Sequence, residues 1–136
     1  MARFNYRNVP KIKVNGITFD SKSEYNYYMI LKDLEARGHI SEFKLQHPRF
    51  TYPQLKHASD RDGWYTPDFW VKDSYGREHI VEIKGVLEDA ARIKMSFIEY
   101  LYGIDIKVVP TRNGKKNRKW TYSAMDTSFI TEKPID

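Results

Sequence analysis

The stretch Trp64-Tyr65-Thr66-Pro67-Asp68-Phe69-Trp70-Val71, followed after a polar link by Glu78-His79-Ile80-Val81-Glu82-Ile83-Lys84-Gly85, decides how this chain folds. Both runs are rich in aromatic and β-branched residues. The link Lys72-Asp73-Ser74-Tyr75-Gly76-Arg77 carries the residue types that turns favour. Folding the two runs into an antiparallel hairpin about Tyr75 sets Asp68 opposite Glu82. Side chains alternate across a strand, so Val81 and Ile83 face one way while Glu82 and Lys84 face the other. Pro67 and Phe69 flank Asp68 and belong to the apolar face. The reading therefore gathers two carboxylates and an ammonium on one side of a sheet.

Two carboxylates at cross-strand distance repel one another, which disfavours their joint ionisation unless a cation lies between them. A hard divalent ion such as Mg²⁺ accepts carboxylate oxygens and keeps coordination positions for water and phosphate. Such an ion also acidifies water and offsets charge on a phosphate under attack. Lys84, one pleat beyond Glu82, would hold the nucleophile or neutralise the developing oxyanion. The plainer alternative is a cross-strand salt bridge between Lys84 and one of the carboxylates on a solvated sheet face.

The pattern resembles the PD-(D/E)XK nuclease superfamily, in which an acidic residue on a core helix precedes Pro-Asp on one strand and Glu-X-Lys on the next. It is most similar to small phage-borne members of that superfamily. The matching text is Val14-Asn15-Gly16-Ile17, Ser21-Lys22-Ser23-Glu24, Leu45-Gln46, Pro67-Asp68-Phe69 and Glu82-Ile83-Lys84-Gly85, within a resemblance spanning roughly residues 11–110. The opening helix is also similar to the endonuclease subunit of some cut-and-paste transposons, and the size to Holliday-junction resolvases. The resemblance implies an α/β fold with a restriction-endonuclease-like core (α-β-β-β-α-β) behind an N-terminal β-hairpin. It also implies a metal-dependent DNA endonuclease of phage origin, acting in recombination, replication or packaging in the cytoplasm of the bacterial host. Asp68, Glu82 and the Ile83 carbonyl would bind Mg²⁺ or Mn²⁺, joined by Glu24. Lys84 would be catalytic, and Gln46 would lie beside the site. A junction-resolving enzyme would be a symmetric homodimer that makes paired cuts.

Composition sets bounds that agree. At 136 residues the chain suits one domain with one modest core. A net charge of +5 and a pI near 9.3 favour polyanionic partners, DNA first among them. The chain has no cysteine, which excludes disulfides and thiolate metal sites or nucleophiles. No apolar run is long enough to span a bilayer, and Met1-Ala2-Arg3-Phe4-Asn5-Tyr6 lacks the apolar core of a signal peptide. The four histidines, His39, His47, His57 and His79, have no ligand-like spacing.

The organisation read along the chain is a flexible basic arm (1–10), a nuclease-like domain (11–122) and a C-terminal tail (123–136). Asn15-Gly16 between short apolar runs marks a hairpin. A helix is expected over residues 22–37, stopped by Gly38, with Tyr25, Tyr28, Met29 and Leu34 as its buried stripe. One strand is expected over 42–52 and a polar loop over 53–63. A second helix over 88–102, closed by Gly103, would bury Ala90, Ile93, Phe97 and Leu101. Residues 105–109 then form a strand entered parallel to an earlier one through a helical crossover.

Several of these residues carry competing readings. Ser21-X-X-Glu24 is a capping box, in which Glu24 reaches back to the Ser21 N–H, and this alone accounts for both residues. Arg92 and Lys94 on the second helix would contact phosphate or simply face solvent. The run Arg112-Asn113-Gly114-Lys115-Lys116-Asn117-Arg118-Lys119 carries five positive charges. With Trp120 behind them, Arg112, Lys115, Lys116, Arg118 and Lys119 read as phosphate contacts. Two other function classes fit the same text. One is a catalytically silent nucleic-acid-binding module, and the other a phage factor that binds a host protein.

Overall fold

The computed structural model describes residues 11–14, 16–53, 61–111 and 125–135. The proposed arm (1–10), Asn15, His57, Asp60, Trp120 and the basic residues Arg112, Lys115, Lys116, Arg118 and Lys119 lie outside the described residues.

The fold is mixed α/β, built on a four-stranded mixed sheet. The N-terminal hairpin pairs β1 (Ile12–Val14) with β2 (Ile17–Phe19), and Gly16 takes the positive φ its turn requires. Helix α1 (Lys22–Ala36) follows, then β3 (Ile40–Leu45), β4 (Phe50–Tyr52), β5 (Gly63–Tyr65), β6 (Phe69–Asp73) and β7 (Glu78–Lys84). Helix α2 (Asp89–Tyr102), β8 (Ile106–Pro110) and a short helix α3 (Ser128–Thr131) complete it. The main sheet runs β3-β6-β7-β8, while β4 and β5 form a separate antiparallel pair. Phe69 pairs with Val81 and Lys72 with Glu78, a register centred on Tyr75 that extrapolates to Asp68 opposite Glu82. β8 runs parallel to β7, with α2 as the crossover.

Two apolar clusters sandwich this sheet. On one face Phe69, Val71, Val81, Ile83 and Val109 pack with Tyr27 and Leu31 of α1 and Ile130 of α3. On the other, Ile80 and Ile106 pack with Met95 and Ile98 of α2 and with Phe50 and Tyr65 of the β4–β5 pair. The face that carries Glu82 is thus covered at one end by a helix and a hairpin, not solvated. Met125–Thr131, read from sequence as part of a tail, packs against the first cluster: the Tyr27 hydroxyl donates to the Asp126 carbonyl at 3.1 Å.

Four expectations change. The strand read over 42–52 breaks at Gln46, whose φ of 47° turns the chain out of the sheet before the cis His47–Pro48 bond. The run from Trp64 to Val71 also breaks, between Tyr65 and Phe69, so β5 leaves the main sheet. The fully buried stripe of α1 is Glu24, Tyr27 and Leu31; of the expected residues Tyr28 and Leu34 pack partly buried against the same cluster and Met29 is exposed, because the helix sits one position round from the expected phase. The same holds for α2: Met95 and Ile98 are buried, while Ala90, Ile93, Phe97 and Leu101 face outward. Both helix ends behave as expected. Gly38 follows the C-cap Arg37 with positive φ, and the His39 N–H bonds the Leu34 carbonyl. Gly103 caps α2 in the left-handed region.

The turn between β6 and β7 is held by Asp73. Its buried carboxylate accepts the Tyr75 and Arg77 backbone N–H groups, both at 2.9 Å, Arg77 Nε at 2.6 Å and a contact from His79 Nε2 at 2.8 Å. Replacing Asp73 by Ala leaves those donors buried without an acceptor. Chemical denaturation is expected to show a loss of about 3 kcal/mol or more, against less than about 1 kcal/mol for Glu42→Ala on the exposed edge strand.

Candidate functional site

The antiparallel ladder between β6 and β7 stops at Phe69–Val81. The next β7 amide facing that edge, Ile83 N–H, is taken instead by the Asp68 side chain, with Oδ2 at 2.8 Å. A carboxylate thus replaces a backbone carbonyl at the end of the ladder. Because a residue's N–H and C=O point to the same neighbouring strand, the Ile83 carbonyl opens toward the Asp68 side as well. On the other edge of β7 the Lys84 carbonyl accepts the Thr111 N–H, so β8 holds the strand straight through the site.

Glu24 comes from the first turn of α1. Ser21 Oγ caps the helix by accepting the Glu24 N–H at 3.1 Å. The return bond differs from the expected capping box: Glu24 Oε2 accepts the N–H of Asp20, not Ser21, at 2.9 Å. That extra residue of reach swings the carboxyl toward the sheet, within hydrogen-bonding range of Asp68. The cap and the site are therefore the same side chain. Asp68 in turn interacts with Glu82, whose Oε1 lies 3.8 Å from Lys84 Nζ. Glu82 Oε2 accepts a hydrogen bond from the Tyr65 hydroxyl.

Asp20, Ser21, Gln46, Thr66 and Thr111 complete the polar wall of an open cleft of about 1080 Å³ that Glu24, Asp68, Glu82, Ile83 and Lys84 line. Gln46 reaches it from its left-handed turn, held there by its N–H on the Asp68 carbonyl at 2.8 Å. Glu88 and Ala91 form the α2 wall. Arg92 pairs instead with Asp89 at 2.7 Å, and Lys94 sits 5.9 Å above the Tyr52 ring. Thr111, the last described residue before the basic run of 112–119, lines the cleft. Tyr65 is the residue that sequence reasoning missed. Read as one strand, the segment puts Tyr65 on the apolar face with Phe69; only the departure of β5 from the sheet turns it toward Glu82.

The electrostatics follow from burial. Loss of water, then the neighbouring Asp68 and Asp20, push the Glu24 carboxyl up to about 9, against the pull of the Asp20 N–H. Burial and the Glu82 charge push Asp68 up to about 7, opposed by Glu24, the Ile83 N–H and Lys84. Burial also raises Glu82, against the Tyr65 hydroxyl and Lys84. Burial and then Glu82 raise the Tyr65 phenol, so it stays a proton donor. Without a cation the cluster holds protons that free carboxyls release. Among the described residues no group of three or more acidic or histidine side chains stands in ready ligating array. The donor set suits an ion that takes two carboxylates, a backbone carbonyl and waters, which is how Mg²⁺ is commonly held.

These raised values fix a pH dependence. Unfolded carboxyls titrate near pH 4, so the native state binds protons more tightly than the unfolded chain. The stability this provides is full below about pH 4 and is lost as pH rises through about 7 for Asp68 and about 9 for Glu24. In chelator, Tm is expected to fall between pH 5 and pH 9 by on the order of 5 °C more in the wild type than in Asp68→Asn. Added Mg²⁺ should close that gap at pH 8 in a thermal-shift series.

Among the described residues no helix is long and apolar enough to cross a membrane. No curated protein and no solved structure matches the chain. Residues 3–112 match the family described as "Protein of unknown function (DUF1064)", and with that match spanning most of its length the chain belongs to this family.

Proposed function

We propose that the protein is a metal-dependent DNA endonuclease with a restriction-endonuclease-like core of the PD-(D/E)XK kind. The observation that carries this reading is the convergence of Glu24, Asp68, Glu82 and Lys84 on one open cleft, from a helix terminus and two adjacent strands. In the main sheet the succession α1, β3, β6, β7, α2, β8 follows the order such a core requires, with the β4–β5 pair inserted. The positive net charge and the basic run that follows Thr111 supply affinity for a phosphate backbone that the acidic cleft lacks.

A bound Mg²⁺ or Mn²⁺ would offset phosphate charge and acidify an attacking water. Asp68 and Glu82 would hold it with the Ile83 carbonyl, and Glu24 would steady Asp68 from the other side. Lys84, half exposed at the cleft mouth, orients the water or offsets charge on the phosphoryl oxygens. The resemblance to phage-borne nucleases adds a setting: branched or recombining DNA in a bacterial cytoplasm, cut by a dimer.

One observation favours a second reading. The Tyr65 hydroxyl engages one oxygen of Glu82 and the Ile83 amide engages one oxygen of Asp68, an arrangement a silent DNA-binding module would tolerate. Cleavage separates the two. Labelled duplex, single-strand, flap and four-way-junction DNA should be cut with Mg²⁺ or Mn²⁺. Asp68→Asn and Lys84→Ala should each lower the rate by about 100-fold or more, with DNA binding retained. Binding without cutting of any substrate would assign the protein to the silent class.

A further inference from the structure

Tyr65 is held with unusual completeness for a residue on a three-residue strand. Its ring stacks on Phe50 across the β4–β5 pair, at 6.3 Å between centroids and 18° between planes, and lies in the cluster with Met95 and Ile98 of α2. The hairpin itself is fastened to that helix twice more. The Tyr102 hydroxyl donates to the Thr51 carbonyl at 2.7 Å, and the Tyr52 ring meets Phe97 edge-on at 5.7 Å. Gly63 permits this seating, since a Cβ there would lie 2.3 Å from the Tyr52 ring. All of that packing aims one buried hydroxyl at one oxygen of Glu82.

We propose that Tyr65 is a positioning residue of the site: by donating to Glu82 Oε2 it fixes the carboxylate plane and leaves Oε1 to Lys84 and the cleft. The inference rests on the reading of the cleft as a metal-dependent nuclease site. Glu82 has three side-chain torsions and projects beside two other carboxyl groups, so once Asp68 and Glu82 are both ionised their charges repel and nothing among the described residues on the cleft side fixes the Glu82 carboxylate plane. The Tyr65 bond would offset that repulsion and hold the Glu82 carboxylate where it could share a cation with Asp68. Hydrogen-bond partners behind ligating carboxylates are commonly worth 10–100-fold in metal affinity.

The test is Mn²⁺ binding to the intact protein without DNA, followed by electron paramagnetic resonance and calorimetry. Tyr65→Phe keeps the ring and its packing while removing the donor, and Tyr52→Phe removes a hydroxyl from the same hairpin away from Glu82. Tyr65→Phe is expected to weaken Mn²⁺ by about 10-fold or more, and Tyr52→Phe by less than about twofold. In a Glu82→Gln background Tyr65→Phe should add almost nothing, which a general loosening of the hairpin would not reproduce. With DNA present, Tyr65→Phe should need more Mg²⁺ for half-maximal rate yet recover kcat at saturation. Equal Mn²⁺ affinity in Tyr65→Phe and wild type overturns the role of Tyr65 and leaves the nuclease reading standing. A wild type that binds no Mn²⁺ removes the metal site, and the role of Tyr65 with it.

Discussion

The site depends on a single substitution in the logic of a β-ladder. Where β6 should offer a carbonyl to Ile83 N–H, the chain has already turned away through Pro67, and the Asp68 carboxylate fills the place at 2.8 Å. A backbone amide left unpaired in a half-buried position would cost on the order of 1–3 kcal/mol. The ladder therefore cannot close without Asp68, and Asp68 cannot make this bond without lying between Glu24 and Glu82. Backbone satisfaction draws the acidic cluster together, and the strained, left-handed Gln46 next to it is pinned to the same residue through the Asp68 carbonyl.

The two ends of the β6–β7 hairpin make an instructive pair. At the turn, the Asp73 side chain is shielded from solvent, yet four donors, including a guanidinium and an imidazole, surround it. That carboxylate is saturated and has a structural explanation. At the open end, Asp68 has one backbone donor, and burial followed by the Glu82 charge raises its affinity for protons against the pull of Glu24, the Ile83 N–H and Lys84. Identical side chains, one just before β6 and one at its end, thus meet opposite electrostatics. The saturated end secures the hairpin, so the frustrated end can persist.

Much of this was legible in the sequence because it is local. The turn residues 72–77 fix the register of β6 on β7, and alternation then places Glu82 and Lys84 on the face opposite Val81 and Ile83. Glycines at 38 and 103 stop the helices where expected. The larger failures are non-local. The segments 42–52 and 64–71 have strand composition throughout, and nothing within them shows that β4 and β5 would pair with each other off the main sheet. The alternation of one continuous strand gives no hint that Tyr65 meets Glu82. Helix phase failed for a related reason. Residues 89–102 carry apolar side chains around most of their circumference, and which stripe is buried depends on whether Met95 and Ile98 or Ile93 and Phe97 find the Phe50–Tyr65 surface.

That surface links the missed hairpin to the residues that were found. Phe50 and Tyr65 take Met95 and Ile98 from α2, Ile80 from β7 and Ile106 from β8 into one cluster. The hairpin thus fills the space beneath α2 next to Glu82. A helix lying directly on the sheet there would bury Glu82 against apolar side chains, with the desolvation penalty that implies. The inserted β4–β5 pair supplies an aromatic layer that ends in a hydroxyl, and the carboxylate meets a donor in place of hydrocarbon. Glu82 can therefore be nearly buried and still hydrogen-bonded, with Lys84 and the cleft on its other side. The break in the strand before Pro67 is what makes this arrangement available: it lets β5 cross over the sheet face while Asp68 remains in the sheet's last row.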